Sequence, residues 1–260
     1  MEVITQATAE QAVKLVSSLI EDRVNEKPGA VLGLATGRTM EKVYAQLAMS
    51  AVSFKECTTF NLDEYIGLPS DDTQSYRHYM WQHFFSKVDI DIQNTFVPDG
   101  QAADLRQAAT DFENAIETAG GIDTQLLGIG VAGHIGFNEP LSSIMSRTRD
   151  KCLTPKTREQ NAAMFGGDAN KVPKRALTMG VGTILQAREL ILLATGSAKA
   201  DIVARAVEGP ITSMVSASSI QLHPNCKVIV DEEAAGCLQG REYYDFVFEN
   251  EPEWERYRQN

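Results

Sequence analysis

Apolar positions fall into two regimes along the chain, short unbroken runs and longer stretches with helical spacing. Residues 8–26 set Ala12, Leu15, Val16, Leu19 and Ile20 on one face of a helix, and Pro28 and Gly29 end it. The run AVLGLAT (30–36) is short and apolar up to Thr36, so it reads as a buried strand with a glycine-containing turn after it. A helix over 39–49 follows. CTTFNLDEY (57–65) is a second buried strand with acids at its carboxyl end. Residues 73–87 are aromatic-rich and helical, and the turn at Pro98, Asp99 and Gly100 leads into an amphipathic helix over 102–119. TQLLGIG (124–130) is the third buried strand, ELILLAT (189–195) the fourth, with a helix beginning near Ser197, and KVIVD (227–231) the last. The stretch 156–174 is polar without a period, and 175–187 mixes strand and helix patterns.

Strands that alternate with helices predict a mostly parallel sheet covered on both faces. The expected fold class is therefore α/β, a doubly wound, Rossmann-like single domain over 1–260, because no linker rich in Pro, Gly or Ser divides the chain. At 43% hydrophobic and 23% charged residues the composition is that of an ordinary globular protein, which excludes disorder, collagen and fibres. The apolar runs fall far short of the roughly 20 residues a membrane span needs. The N-terminus lacks the basic-then-apolar pattern of a signal peptide, so a cytoplasmic location is expected. Lys and Arg number 24 against 35 acids, a net charge of −11, which argues against nucleic acid as a partner. A small anion held by a few local donors is compatible with that charge. Cys57, Cys152, Cys226 and Cys237 share no CxxC spacing, so isolated thiols and no metal site are expected.

Ligands of such sheets bind beyond the carboxyl ends of the strands. Four strand ends carry notable residues. Thr36, Gly37, Arg38 and Thr39 form a strand-to-helix turn, where backbone N–H groups and a helix start favour a phosphate. TGSAK (195–199) repeats that pattern and adds Lys199 as a point charge. GIGVAG (128–133) formally matches the dinucleotide fingerprint GxGxxG, but the HIGFNEP that follows is poor helix sequence, so a nicotinamide cofactor is not expected. His134 and Glu139 flank a short turn on the ligand side, and histidine suits proton transfer to a sugar oxygen. Asp63 and Glu64 are adjacent, so on a strand only one of them faces the site. A solvated turn or a helix cap accounts for the other.

The stretches LGLATGRT, TTFNLDEYIGL, GIGVAGHIGFNEP, SRTR, KVPKRALTMGVGTIL and SIQLHP closely resemble the glucosamine-6-phosphate deaminase (glucosamine-6-phosphate isomerase) family, in order, from about residue 3 to about 232. The resemblance implies conversion of glucosamine 6-phosphate and water to fructose 6-phosphate and ammonia, without a cofactor. By motif it makes Asp63 the base that moves a proton between carbons 2 and 1, and His134 the group that opens the ring, supported by Glu139. Lys199 and the turn 36–39 would hold the phosphate. A homo-oligomer, trimer or hexamer, is implied, and 156–174 is expected to be a mobile lid. Hexameric bacterial members are activated by N-acetylglucosamine 6-phosphate bound between subunits. Ser142, Ser143, Arg149 and Lys151 match that segment, with Cys152 in place of a usual threonine.

The chain departs from the family pattern at four positions. Ala132 stands where an Asp or Asn normally assists the ring-opening histidine, and Ala163 where an arginine normally binds the phosphate. Arg38 and Met40 replace the usual Gly or Ser and Pro of the phosphate turn. Two readings follow: an altered but working deaminase in which Arg38 replaces the lost guanidinium, or a degenerate homologue that binds a sugar phosphate without efficient turnover. A remoter one is a hydrolase resembling the 6-phosphogluconolactonases, which share the fold but carry a GxGxDGH turn.

Overall fold

A computed structural model describes residues 1–258. In chain order its elements are β1 (Glu2–Gln6), α1 (Ala9–Glu26), β2 (Val31–Leu34), α2 (Arg38–Met49), β3 (Thr58–Asn61), β4 (Asp63–Tyr65), α3 (Tyr76–His83) and β5 (Thr95–Phe96). There follow α4 (Leu105–Thr118), β6 (Thr124–Leu127), β7 (Arg149–Cys152), α5 (Pro155–Asn161), β8 (Arg175–Thr178) and α6 (Val181–Ile184). The chain ends with β9 (Glu189–Ala194), α7 (Ala200–Val207), β10 (Cys226–Asp231) and α8 (Arg241–Asn250).

Seven strands form one parallel sheet in the order β1-β10-β9-β6-β2-β3-β5. Its central strands β2, β6 and β9 are buried along their whole lengths, so β2 and most of β9 read as apolar runs, while β6 buries Thr124 and Gln125 beside Leu126 and Leu127. The chain leaves β2 toward β3 on one side and leaves β6 toward β9 on the other. Neighbouring β2 and β6 therefore flank the point where the winding reverses, and a crevice opens beyond their carboxyl ends. The expected mostly parallel central sheet of an α/β fold is borne out.

Several expected elements are revised. The stretch 57–65 is two strands. Leu62 bonds the Leu34 carbonyl, and the chain then turns out of the large sheet. β4 instead joins β8 and β7 in a small antiparallel sheet, with Asp63 and Arg149 both opposite Thr178. The helix expected at 73–87 is α3 followed by a 3-10 turn over Phe85–Lys87, and the one expected near Ser197 is a 3-10 turn over Ser197–Lys199 leading into α7. β1 and the C-terminal α8, with the 3-10 turn Pro252–Tyr257, had no expected counterpart.

The stretch 156–174 is built rather than patternless. Thr154 caps α5, Pro155 opens it, and a 3-10 turn over Ala162–Phe165 follows. Arg158 ties the return path together by donating to the carbonyls of Val172 and Ala169, at 3.1 and 2.7 Å. Ala162, Phe165 and Val172 pack on Tyr65, Tyr76 and Phe137 in an apolar cluster separate from the main core. The elements are too short to leave a helical period in the sequence.

Candidate active site

A cavity of about 390 Å³ sits beyond the carboxyl ends of β2, β6 and β9, roofed by α5 and its 3-10 turn. Thr36, Gly37, Arg38, Thr39, Asp63, His134 and Lys199 all line it, drawn from four separate chain segments. Glu139 does not. It lies behind His134.

The anion end is the start of α2. Gly37 has φ +119° and ψ 161°, a conformation that side chains disfavour, and no side chain caps the helix. The first N–H groups of α2 consequently point outward with the positive end of the helix dipole. Arg38 is exposed at the cavity rim and forms no hydrogen bond or ion pair with the described residues. Lys199 is largely buried, which lowers its pKa, and its Nζ donates to the Ile129 carbonyl at 2.6 Å.

The second phosphate turn expected at TGSAK is corrected. The Gly196 N–H donates to the Asp231 carboxylate at 3.0 Å, and the Ser197 N–H to Glu233 at 3.2 Å. Acidic side chains occupy donors that a phosphate would need, so this end contributes Thr195 and Lys199 rather than a backbone cradle.

The two acids of β4 divide as the strand period requires. Asp63 faces the cavity, and burial together with the neighbouring Glu64 charge pushes its carboxyl up to about 8, against a lowering contribution from the Phe137 N–H. Glu64 points the other way and caps α3, accepting from the N–H groups of Tyr65, Tyr76 and Arg77 at 2.8, 3.0 and 2.9 Å. It is a structural residue.

His134 lies flat against Gly130. A Cβ there would fall 2.1 Å from the imidazole Nε2, so only glycine leaves room for the ring. On the far side, Nδ1 stands 3.5 Å from Glu139 Oε2. Burial tends to raise the Glu139 pKa, but the neighbouring His134 and Thr157 side chains and the Thr154 N–H, which donates to Oε1 at 2.9 Å, outweigh it and hold the carboxyl below its usual range. A carboxylate on the Nδ1 side favours the tautomer protonated there and leaves Nε2 to exchange a proton with a ligand.

Ser142, Ser143, Arg149 and Lys151 lie away from the cavity lining. Arg149 nevertheless reaches the turn between His134 and Glu139, donating to Asn138 Oδ1 at 2.8 Å. The Asn138 amide donates to the carbonyls of Ile135 and Met179, both at 2.9 Å, and so pins the turn between His134 and Glu139. Sequence reasoning missed Asn138 and also Tyr76 and Gln160, which line or brace the cavity. Gln160 accepts from the Val131 N–H at 3.1 Å, linking α5 to the histidine turn. Ala163 and Met40 line the cavity, while Ala132 does not. No cluster of three or more His, Cys, Asp or Glu able to hold a metal occurs among the described residues. No helix among them is long and apolar enough to cross a membrane.

The fold and the cavity are those of an α/β enzyme, with titratable side chains gathered at strand carboxyl ends. Residues 4–228 match the model of the glucosamine-6-phosphate isomerases/6-phosphogluconolactonase family, and the chain belongs to that family. It is 44% identical over 259 residues to a glucosamine-6-phosphate deaminase of Streptomyces coelicolor, covering 98% of this chain and 99% of the relative. A solved monomeric glucosamine-6-phosphate deaminase is 43% identical and superposes with a TM-score of 0.88 over 91% of this chain and all of that one. The 6-phosphogluconolactonase of Trypanosoma brucei, 21% identical with a TM-score of 0.72 over 90% of this chain and 97% of that one, shares the fold.

Proposed function

We propose that this chain is a glucosamine-6-phosphate deaminase, converting glucosamine 6-phosphate and water into fructose 6-phosphate and ammonia. One observation carries the reading: a buried carboxyl, a carboxylate-backed imidazole and an uncapped helix start share a single cavity. Deaminases similar to this chain over nearly its whole length support it.

In this reading the phosphoryl group sits at the start of α2 between Arg38 and Lys199. That remote anchor orients carbons 1 and 2 of the sugar. His134 moves the proton that opens the ring, its tautomer set by Glu139. With alanine at 132, Glu139 alone supports that imidazole. Asp63 takes the carbon 2 proton, acidified by the neighbouring carbonyl of the opened chain, and delivers it to carbon 1. Ammonia then leaves carbon 2 as water adds. The segment 156–174 acts as a lid, with Gln160 its contact to the histidine turn.

Ser142, Ser143, Arg149 and Lys151 are proposed to take a regulatory sugar phosphate, with Arg149 and Asn138 as the connection to His134. A trimer or hexamer of this chain in the cytoplasm is proposed on the family resemblance. Light scattering on the purified chain distinguishes these assemblies from a monomer like the solved relative. Incubation with glucosamine 6-phosphate, with fructose 6-phosphate and ammonia measured together, tests the chemistry. Equal amounts of both products are expected. Saturable binding without product would instead select the non-catalytic homologue.

A further inference from the structure

Two tyrosines grip the anion-binding turn from within the protein. The Tyr44 hydroxyl donates to the Ala35 carbonyl, and the Tyr79 hydroxyl donates to the Gly37 carbonyl at 2.9 Å. In a trans peptide, the C=O of one residue and the N–H of the next point in opposite directions. Holding the Gly37 carbonyl therefore aims the Arg38 N–H away from Tyr79, out of the first turn of α2. Holding Ala35 does the same for the Thr36 N–H. The Gly37 carbonyl also accepts from Met40 and Glu41, at 2.9 and 3.3 Å, but those donors belong to α2 itself. Tyr79 is the donor that fixes this carbonyl to a different element.

That element is the one Glu64 holds. The Glu64 carboxylate accepts the Tyr76 and Arg77 N–H groups at the start of α3, and Tyr79 lies on the same helix. A short, continuous path thus runs from Asp63 through Glu64 and α3 to the Tyr79 hydroxyl and Gly37. Its two ends are the cavity carboxyl and the anion site. Gly37 is the most permissive residue type in the turn and no side chain caps α2, so apart from the α2 contacts and the Tyr44 bond to Ala35 the turn relies on Tyr79 for its position.

We propose that Tyr79 is a positioning residue: its hydroxyl holds the anion-binding turn at a set distance from Asp63 and so tunes affinity for the phosphoryl end of the substrate. The proposal rests on the sugar-phosphate reading given above and adds a determinant outside the cavity lining.

Tyr79→Phe removes only the hydroxyl and keeps the ring beside Tyr76 and His83. Calorimetry with inorganic phosphate and with glucosamine 6-phosphate, run beside steady-state kinetics and thermal melting, reads the effect. Affinity for both ligands should weaken about 3- to 10-fold, the usual worth of one hydrogen bond. KM should rise by a similar factor, with kcat changed less than KM. A lower melting midpoint with both affinities intact would mean that Tyr79 merely stabilises the fold, and would overturn the proposal. A fall in kcat at constant KM would also overturn it. A parent enzyme that binds neither ligand would overturn the sugar-phosphate reading together with the role of Tyr79. Normal parental binding that Tyr79→Phe leaves untouched would overturn the role of Tyr79 alone.

Discussion

Asp63 and Glu64 are neighbours on β4 whose carboxyl groups lie on opposite sides of it, one in the cavity and one on the first turn of α3. Burial raises both. Glu64 has three backbone N–H donors and so carries the charge more readily, and that charge helps to push Asp63 up to about 8. A strand end that looks like a redundant pair of acids is one carboxyl in the cavity and one that tunes it.

The pH dependence of turnover follows. As the proposed base, Asp63 must first lose its proton, and with burial and Glu64 pushing its carboxyl up to about 8, kcat/KM should rise with pH and level off above about 8. Steady-state rates from pH 6 to pH 9, in a buffer series of constant ionic strength, check this. A limb that has levelled off near the ordinary carboxyl range would contradict it.

Asp63→Asn keeps the shape and removes the basicity. Exchange of the carbon 2 proton with solvent should fall by about 10²–10⁴, the usual scale for a positioned acid or base, while sugar-phosphate binding persists. The same variant should gain stability. Between 3.8 and about 8 the folded parent keeps a proton that the unfolded chain gives up, so parental stability falls as pH rises through that window. Melting curves at both ends should show the advantage of Asp63→Asn growing toward the alkaline end. NMR of the carbon 2 proton reads the exchange.

Arg38 and Ala163 line the same cavity, and Arg38 has no partner among the described residues. The proposed role of Arg38 as a surrogate guanidinium requires a charge-assisted contact to the phosphoryl group. Arg38→Gly should then weaken sugar-phosphate binding by roughly 1.5–3 kcal/mol, and adding Ala163→Arg should recover much of it. Tighter binding or faster turnover in Arg38→Gly would identify the side chain as an obstruction.

Amide exchange tests the lid. The segment 156–174 is held by the carbonyl contacts of Arg158, a small apolar cluster and the Gln160–Val131 bond, rather than by the main sheet. Its local opening should be frequent in the free protein, and protection should increase when fructose 6-phosphate binds. Protection that stays the same at saturation would count against a lid.

The sequence disclosed the central strands because β2 and β9 are buried on both faces and admit few polar residues, and because β6 runs on into the apolar Leu126 and Leu127. The small sheet was hidden because β7 reads Arg-Asp-Lys-Cys and lies partly exposed, so nothing apolar marks it. For Asp63 and Glu64, the two-residue period showed that one faces inward, and the family resemblance said which. The TGSAK turn misled because the acids that occupy its N–H groups, Asp231 and Glu233, lie on a later strand and the turn after it. Local motifs give the donors of a turn, whereas distant residues decide whether those donors are free.

The opposite pole of the sheet has a different character. At the amino ends of the strands, Glu189 takes Lys227 at 3.0 Å, Thr124 at 2.9 Å and Arg23 at 3.4 Å. Asp123 binds Lys27, Arg188 and the Val31 N–H, and the buried Trp254 closes the base with Lys227 5.7 Å from its ring centroid. These clamps join β2, β6, β9 and β10 at the far end from the cavity. A substitution at the reacting end can therefore alter chemistry while leaving the clamps untouched. Such separation makes the cavity mouth evolvable, and Arg38, Met40, Ala132 and Ala163 all lie at that end.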